Sequence, residues 1–220
     1  GIKKCTAKMW WRLDAGADSH GDYSSSGDQR VLNSRFAMYN AKASVGWRKG
    51  HWTTSNNVQL SFSQFGFVFD TLARSIVDAR ASRSFEGPHH QVLFGIFSSE
   101  NTFYGERTKW KVNAGWVSDL RQEQEGGNKI SLDMLLNSGS ALVQATTTTS
   151  ATGSWTNGVS LLYQTNTNLG TRIIVPDATT LEGSIYSYYR QRLPRAVLEG
   201  GVRLDERAIR TLATLNLNPP

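Results

Sequence analysis

Apolar and polar residues alternate at every second position over much of the chain. In residues 108–116, the apolar residues Trp110, Val112, Ala114 and Trp116 alternate with polar or small residues. A period of two places one apolar and one polar face on a β-strand. The segment therefore predicts a strand with two chemically distinct faces.

A second alternating segment changes phase partway along. Val58, Leu60 and Phe62 follow the same period, but the next apolar residue is Phe65, with Gly66 beside it. A phase change next to a glycine is typical of a β-bulge. We therefore expect a bulge near Gly66.

Tight-turn dipeptides separate several of the apolar segments. Asn157-Gly158 and Gly126-Gly127 each lie between two segments of strand character, which predicts two hairpins. We expect about eight to ten strands in all. Further predicted strands are 4–13, 35–45, 91–97, 141–148, 171–175 and 183–193.

Helical spacing is confined to two segments. Residues 71–80 carry apolar residues at helical spacing, with Asp70 as an N-cap. Residues 204–215 show the same spacing, although a strand is the competing interpretation. The remaining pattern indicates an all-β antiparallel sandwich or barrel in one domain over 1–220, with a basic segment 1–12 and a short tail 216–220.

Composition excludes several classes of protein. The 220 residues include 7 Trp, 7 Tyr and 9 Phe, and only 19% are charged, which is unlike a disordered chain. The lone Cys5 excludes an internal disulfide. No apolar run approaches the ~20 residues of a spanning helix, so no membrane partner is predicted.

The net charge of +6 is unevenly distributed. Segments 1–12 and 29–69 contain basic residues and no acid, 190–195 is a third basic run, and 134–171 has no charged residue. The uncharged segment fits either surface buried against a partner protein or a polar outer face with long loops.

Motifs for catalysis and metal binding are absent from the sequence. His89 and His90 are adjacent and would point to opposite sides of a strand, and the spacing of Asp14, Asp18 and Asp22 does not fit a calcium loop. No nucleophile elbow or phosphate loop occurs. We expect no enzyme activity, no catalytic residue, no metal and no cofactor.

Two surfaces are candidates for binding. Lysine and arginine neutralise phosphate, so Lys3, Lys4, Lys8 and Arg12 are candidate RNA-binding residues. The alternative is an edge strand with its lysines outward.

Tryptophan faces suit sugars, which makes a second surface a candidate. Trp155 and Trp52 are candidate carbohydrate-stacking residues. The alternative for both is an ordinary place in the core.

Residues 179–190, TTLEGSIYSYYR, resemble a strand in the jelly-roll coat proteins of picorna-like positive-strand RNA viruses, such as the plant comovirus and cheravirus group. The resemblance implies a jelly-roll-type β-sandwich, to which the helical spacing described above adds one or two short helices. It implies a structural subunit of an icosahedral capsid that assembles with other coat subunits around genomic RNA. Such a protein is made in the host cytoplasm and located in the virion. A lectin-like carbohydrate-binding module and a phage tail or baseplate protein are the alternatives.

Overall fold

The computed structural model describes residues 1–25, 27, 29–68, 76–77, 79–125 and 129–212. The regular elements within these residues are all β-strands. They are β1 (Ile2–Cys5), β2 (Met9–His20), β3 (Arg30–Val31), β4 (Phe36–Lys49), β5 (Trp52–Gly66), β6 (Ile76–Val77), β7 (His89–Tyr104), β8 (Thr108–Gln124), β9 (Ile130–Thr148), β10 (Gly153–Asn168), β11 (Ala178–Arg192) and β12 (Val197–Thr211).

One large antiparallel sheet contains ten of these strands, in the order β1-β2-β4-β5-β7-β8-β9-β10-β11-β12. Apart from β3 and β6, which form a separate two-stranded sheet, spatial order follows chain order. The all-β prediction is therefore confirmed. The jelly-roll sandwich is not confirmed, because within the described residues the large sheet forms a single layer of sequential neighbours.

The two helix predictions, for residues 204–215 and 71–80, have different outcomes. Residues 204–211 lie in β12 and pair with β11, so the helix prediction is wrong there and the competing strand interpretation is confirmed. Of 71–80, Ile76–Val77 form β6, whereas 71–75 and 78 lie outside the described residues. No helix in the described part of the chain is long and apolar enough to cross a membrane.

The connections differ at the two ends of the sheet. At one end, here called the turn end, residues 6–8, 50–51, 105–107, 149–152 and 193–196 join neighbouring strands tightly. At the other, the loop end, the connections are 21–35, 67–88, 125–129 and 169–177. The predicted strand 171–175 lies in the last of these, so that prediction is wrong.

The turn predictions are half right. The segments that flank Gly126-Gly127 pair as β8 and β9, although the dipeptide itself lies outside the described residues. Asn157-Gly158 is no turn, because it lies within β10 and pairs with both β9 and β11. The bulge near Gly66 is also wrong, since β5 keeps one register with β7 from Trp52 to Gly66.

Buried apolar side chains are few and lie near the loop end. Val31, Ala37 and Leu132 are the buried hydrophobic residues of the described chain. Each belongs to the loop-end part of its element. The large sheet is therefore held by its hydrogen-bonded ladders and cross-strand side-chain pairs rather than by a central core.

Candidate functional site

Direct partners across neighbouring strands share a face of the sheet. One line of partners reads Ile2, Leu13, Ala43, Val58, Phe97, Trp116, Gly139, Tyr163, Leu181 and Ala208. We call the face that carries this line, and every second residue from it along each strand, the apolar face. The opposite side of the sheet is the polar face.

The apolar face is open to its surroundings. Leu60 is 54% exposed and Ile185 is 56% exposed, although both lie on strands with a partner on each side. Within the described residues, charged side chains on this face lie near strand ends, apart from Glu206 on β12. They are Lys4, Lys49, Asp133, Glu206 and Arg210.

The polar face carries most of the charge of the sheet. Its ion pairs include Arg12–Asp14 at 2.6 Å and Arg203–Asp205 at 2.7 Å. Further ion pairs on this face are Arg121–Asp119, Arg190–Glu199 and Arg207–Glu182. The side chains of His90 and Glu123 are also in contact on this face. The two faces thus differ in chemistry over the whole width of the sheet.

A band of aromatic rings borders the apolar face at the turn end. This turn-end aromatic row consists of Trp47, Trp52, Phe103, Trp110, Trp155 and Tyr189. Trp52 stacks on Phe103 with ring centroids 5.9 Å apart and meets Trp47 edge-on at 5.6 Å. Trp155 donates from Nε1 to Oγ of Ser187 at 2.6 Å.

A line of amide and carboxylate groups borders the same face at the loop end. Gln64, Gln91, Gln122 and Asp133 are successive cross-strand partners on β5, β7, β8 and β9. Nε2 of Gln122 donates to Oδ2 of Asp133 at 3.1 Å. The apolar band is therefore bounded at both ends, by rings at one and by polar side chains at the other.

The loop end also contains a buried polar cluster, which we call the loop hub (Asp22, Asn33, Ser34 and Arg35). Arg35 Nε donates to Oδ1 of Asp22 at 3.0 Å, and the Asp22 side chain is fully buried. Asn33 has a φ of 61° and donates from Nδ2 to the carbonyl of Phe67 at 2.9 Å. The hub ties the β2–β4 connection to the β5–β7 connection, and the two also pair as β3 and β6.

The four basic residues proposed to bind RNA do not form one patch. Lys3 and Arg12 are direct partners on the polar face, whereas Lys4 lies on the apolar face and Lys8 lies in the turn between β1 and β2. Arg12 is also paired with Asp14. RNA contact by these residues stays a prediction.

The two tryptophans proposed to stack on sugars lie far apart in the sheet. Trp52 is on β5 and Trp155 is on β10, with β7, β8 and β9 between them. Both belong to the turn-end aromatic row. Sequence reasoning did not identify this row, because the row follows from strand register, which the sequence does not show.

No group of three or more His, Cys, Asp or Glu side chains that could hold a metal ion occurs in the described ranges. His89 and His90 lie on opposite faces of β7, as the sequence predicted. Nε2 of His90 lies 2.9 Å from Glu123, its cross-strand partner.

No protein-family model and no curated protein matches the chain. Among solved structures, the open form of the ferric-catecholate import receptor Fiu from E. coli K12 is similar, with a TM-score of 0.65 and 14% sequence identity. The similarity covers 94% of this chain and 41% of the receptor chain. At this identity the likeness concerns the fold, namely an extended antiparallel sheet.

Proposed function

We propose that this chain forms part of the membrane-spanning wall of an import receptor, with its apolar face toward lipid and its polar face toward a water-filled interior. The observation that carries the proposal is the exposure of the apolar face. Large apolar side chains exposed across a whole sheet are costly in water, whereas hydrocarbon solvates them. Alternation of apolar and polar residues is what a strand between lipid and water requires.

The apolar band has the length that a bilayer demands. On β5, β7 and β8 the band covers residues 52–62, 93–103 and 110–120. Its turn-end limit is the aromatic row, and its loop-end limit is the line of partners Phe62, Leu93 and Leu120. A tilted strand crosses the hydrocarbon with about 9–11 residues. All three segments fit that length.

The two borders of the band fit the two membrane surfaces. Trp and Tyr rings prefer the headgroup level, where one end of the ring is apolar and the other is wet. The turn-end aromatic row supplies such rings, and the line from Gln64 to Asp133 supplies polar groups on the opposite side. Short turns on one side and longer loops on the other also match membrane sheets of this kind.

Hydrogen bonding places a further demand on the two end strands. In hydrocarbon every backbone donor and acceptor needs a partner within the protein. Strands from β2 to β11 in the large sheet pair on both sides, whereas β1 and β12 each pair with one described strand. We therefore expect further strands to pair with β1 and β12 and so close the wall.

The import role rests on the fold likeness. The ferric-catecholate import receptor is matched over 41% of its length, and 94% of this chain takes part in the match. We propose that the chain contributes in the same way to the passage of a small iron-bearing ligand along its polar face. The ion pairs and hydroxyl groups of that face suit a water-filled interior.

The viral-coat function, its virion location and the jelly-roll sandwich stay predictions that none of the present observations tests. The same holds for the single domain over 1–220; its tail 216–220 lies outside the described residues. We prefer the receptor because a sandwich buries apolar side chains between two packed sheets. The described large sheet leaves them exposed in a single layer.

Cysteine labelling in membranes tests the proposal. In a Cys5→Ser background, Leu60→Cys and Ser61→Cys place neighbouring thiols on opposite faces of β5. We expect a water-soluble maleimide to label the thiol at position 61, whereas lipid protects the thiol at position 60. Equal labelling at both positions in native membranes would falsify the proposal, and detergent solubilisation should expose position 60.

A further inference from the structure

A cavity of about 510 Å³ opens on the polar face, over β2, β4 and β5. Cavities of about 300–1,000 Å³ are of the size that holds a small ligand. We call this one the Trp10 cavity. Its walls carry an indole ring, an ion pair, an ammonium group and two amides, contributed by Trp10, Arg12, Asp14, Lys42, Asn40 and Gln59.

Strand register accounts for the shape of the Trp10 cavity. Asp14, Lys42 and Gln59 are successive direct partners on β2, β4 and β5, and form a polar row on its loop-end side. Trp10 covers its glycine partner on β4 and lies on the turn-end side. Ser44 lies between the two on β4 and also lines the cavity. A small residue between a large ring and a row of long side chains leaves space above the sheet.

Several polar groups of this cavity are unused. Within the described ranges, the side chains of Asn40, Lys42 and Gln59 form no hydrogen bond or ion pair. Arg12 is different, because its Nε and Nη2 donate to the two carboxylate oxygens of Asp14 at 2.6 and 2.9 Å. Lys42 is therefore the cation of the cavity that is available to a ligand.

The carboxylate of Asp14 stays ionised and can accept hydrogen bonds. The bonds from Arg12 hold the pKa of Asp14 below its ordinary value, and the charge of Lys42 lowers that pKa further. An ionised carboxylate is an acceptor for hydroxyl groups, and an amide both donates and accepts. The polar row thus matches a ligand that carries several hydroxyl groups and one negative charge.

The indole ring adds a demand for an apolar surface on the same ligand. Trp10 is 36% exposed beside these polar groups. A sugar ring combines an apolar C–H face with hydroxyl groups at its rim, and so fits a ring bordered by polar side chains. A purely aromatic ligand would leave the amides unpaired. A phosphate would meet only one available cation and lie beside the charge of Asp14.

We propose that the Trp10 cavity binds a sugar acid of the hexuronate class, with its ring against Trp10 and its carboxylate on Lys42. The hydroxyl groups bond to the carboxylate of Asp14 and to the amides of Asn40 and Gln59. The inference goes beyond the proposed function, since it requires only that the polar face is open to water.

The test measures dissociation constants of the full chain in detergent micelles by titration calorimetry. The probes are glucuronate, galacturonate and mannuronate, and each is compared with its uncharged sugar. We expect at least one uronate to bind more tightly than its uncharged counterpart. Lys42→Met should weaken uronate binding about tenfold, because a charge-assisted bond is lost, and should leave the uncharged sugar unaffected. Lys42→Arg should retain the preference for the uronate.

Two further variants locate the site. Lys111→Met is the matched control, because it removes a lysine from the polar face of β8, outside the cavity, and should not change the affinity. Trp10→Ala should weaken binding of the uronate and of the uncharged sugar alike, about fivefold. Thermal unfolding of each variant shows whether a loss of affinity is separate from a loss of folding.

The outcomes decide the inference. Weaker uronate binding in Lys42→Met, with wild-type affinity in Lys111→Met, supports the site. Wild-type affinity in Lys42→Met overturns it, as does an equal loss in the two lysine variants or a wild-type protein that binds none of the three uronates. Tighter binding of uridine monophosphate than of any uronate overturns it in favour of a nucleotide. Protection of the thiol at position 60 does not depend on any of these results.

Discussion

The ring of Tyr186 covers the backbone of Gly158, its direct partner across β10 and β11. A Cβ on Gly158 would collide with that ring, and the hydroxyl of Tyr186 donates to Oε1 of Gln144 at 2.8 Å on the next strand. Trp10 covers Gly46 in the same manner between β2 and β4. Aromatic rings over facing glycines are a known means of fixing strand register.

Gly158→Ala should therefore destabilise the sheet. The ring of Tyr186 would have to move, and its bond to Gln144 would be strained, at a cost of about 1–3 kcal/mol. The control is Gly183→Ala on β11, where a Cβ would meet no atom within 4 Å. Urea unfolding in detergent micelles measures both. A control variant that loses as much stability as Gly158→Ala would contradict the packing argument.

A charge on the apolar face should prevent insertion where a charge on the polar face does not. Phe97→Arg places a guanidinium in the middle of the apolar band, at a cost of about 2–4 kcal/mol in the bilayer. Ser98→Arg places it on the other face, opposite Gly115. We expect less membrane-inserted protein for Phe97→Arg and a wild-type amount for Ser98→Arg. Equal loss in the two variants would argue against lipid contact.

The period-two pattern predicted strands well and predicted their arrangement poorly. Alternation over 108–116 identified β8, because side chains of a strand alternate whatever lies on either face. The same alternation fits a sandwich and a membrane wall. The two differ in whether protein or lipid covers the apolar face, and the sequence pattern does not show which.

A membrane-spanning helix is recognised in a sequence by its length. A continuous run of ~20 apolar residues is the criterion for a helix. A strand with lipid on one face needs apolar residues only at every second position. The alternating residues Val58, Leu60 and Phe62 therefore do not meet the helix criterion. The expectation of no membrane partner follows from the helix criterion alone.

Two wrong predictions, a turn at Asn157-Gly158 and a bulge near Gly66, have structural causes. Asn157-Gly158 has strong turn propensity, but pairing on both sides and the ring of Tyr186 hold it within β10. The phase change at Phe65 reflects a change in the occupied face rather than an extra residue. Contacts between distant parts of the chain decide both cases.

The turn-end aromatic row should lie at the headgroup level of the membrane. In single-Trp variants, Trp155 fluorescence should be quenched more by a nitroxide on the lipid headgroup than by one deep in the acyl chain. Trp10 lies on the polar face over Gly46 and should respond more to iodide in water. If iodide quenches Trp155 as strongly as Trp10 in nanodiscs, the row does not face lipid.

Among the ion pairs of the described chain, the Asp22–Arg35 pair of the loop hub should be the one whose loss costs the most stability. Arg35→Met leaves the buried carboxylate of Asp22 without its guanidinium, which costs about 3–5 kcal/mol because an unpaired charge remains in a dry site. Arg12→Met breaks another Arg–Asp pair, but Arg12 is exposed and water screens the pair, so we expect little loss of stability. Hydrogen exchange of amides at 21–35 measures the local effect. Faster exchange in Arg35→Met but not in Arg12→Met is expected, since the hub joins the two connections. Unchanged exchange at 21–35 would mean that β3 and β6 hold the connections together without the pair.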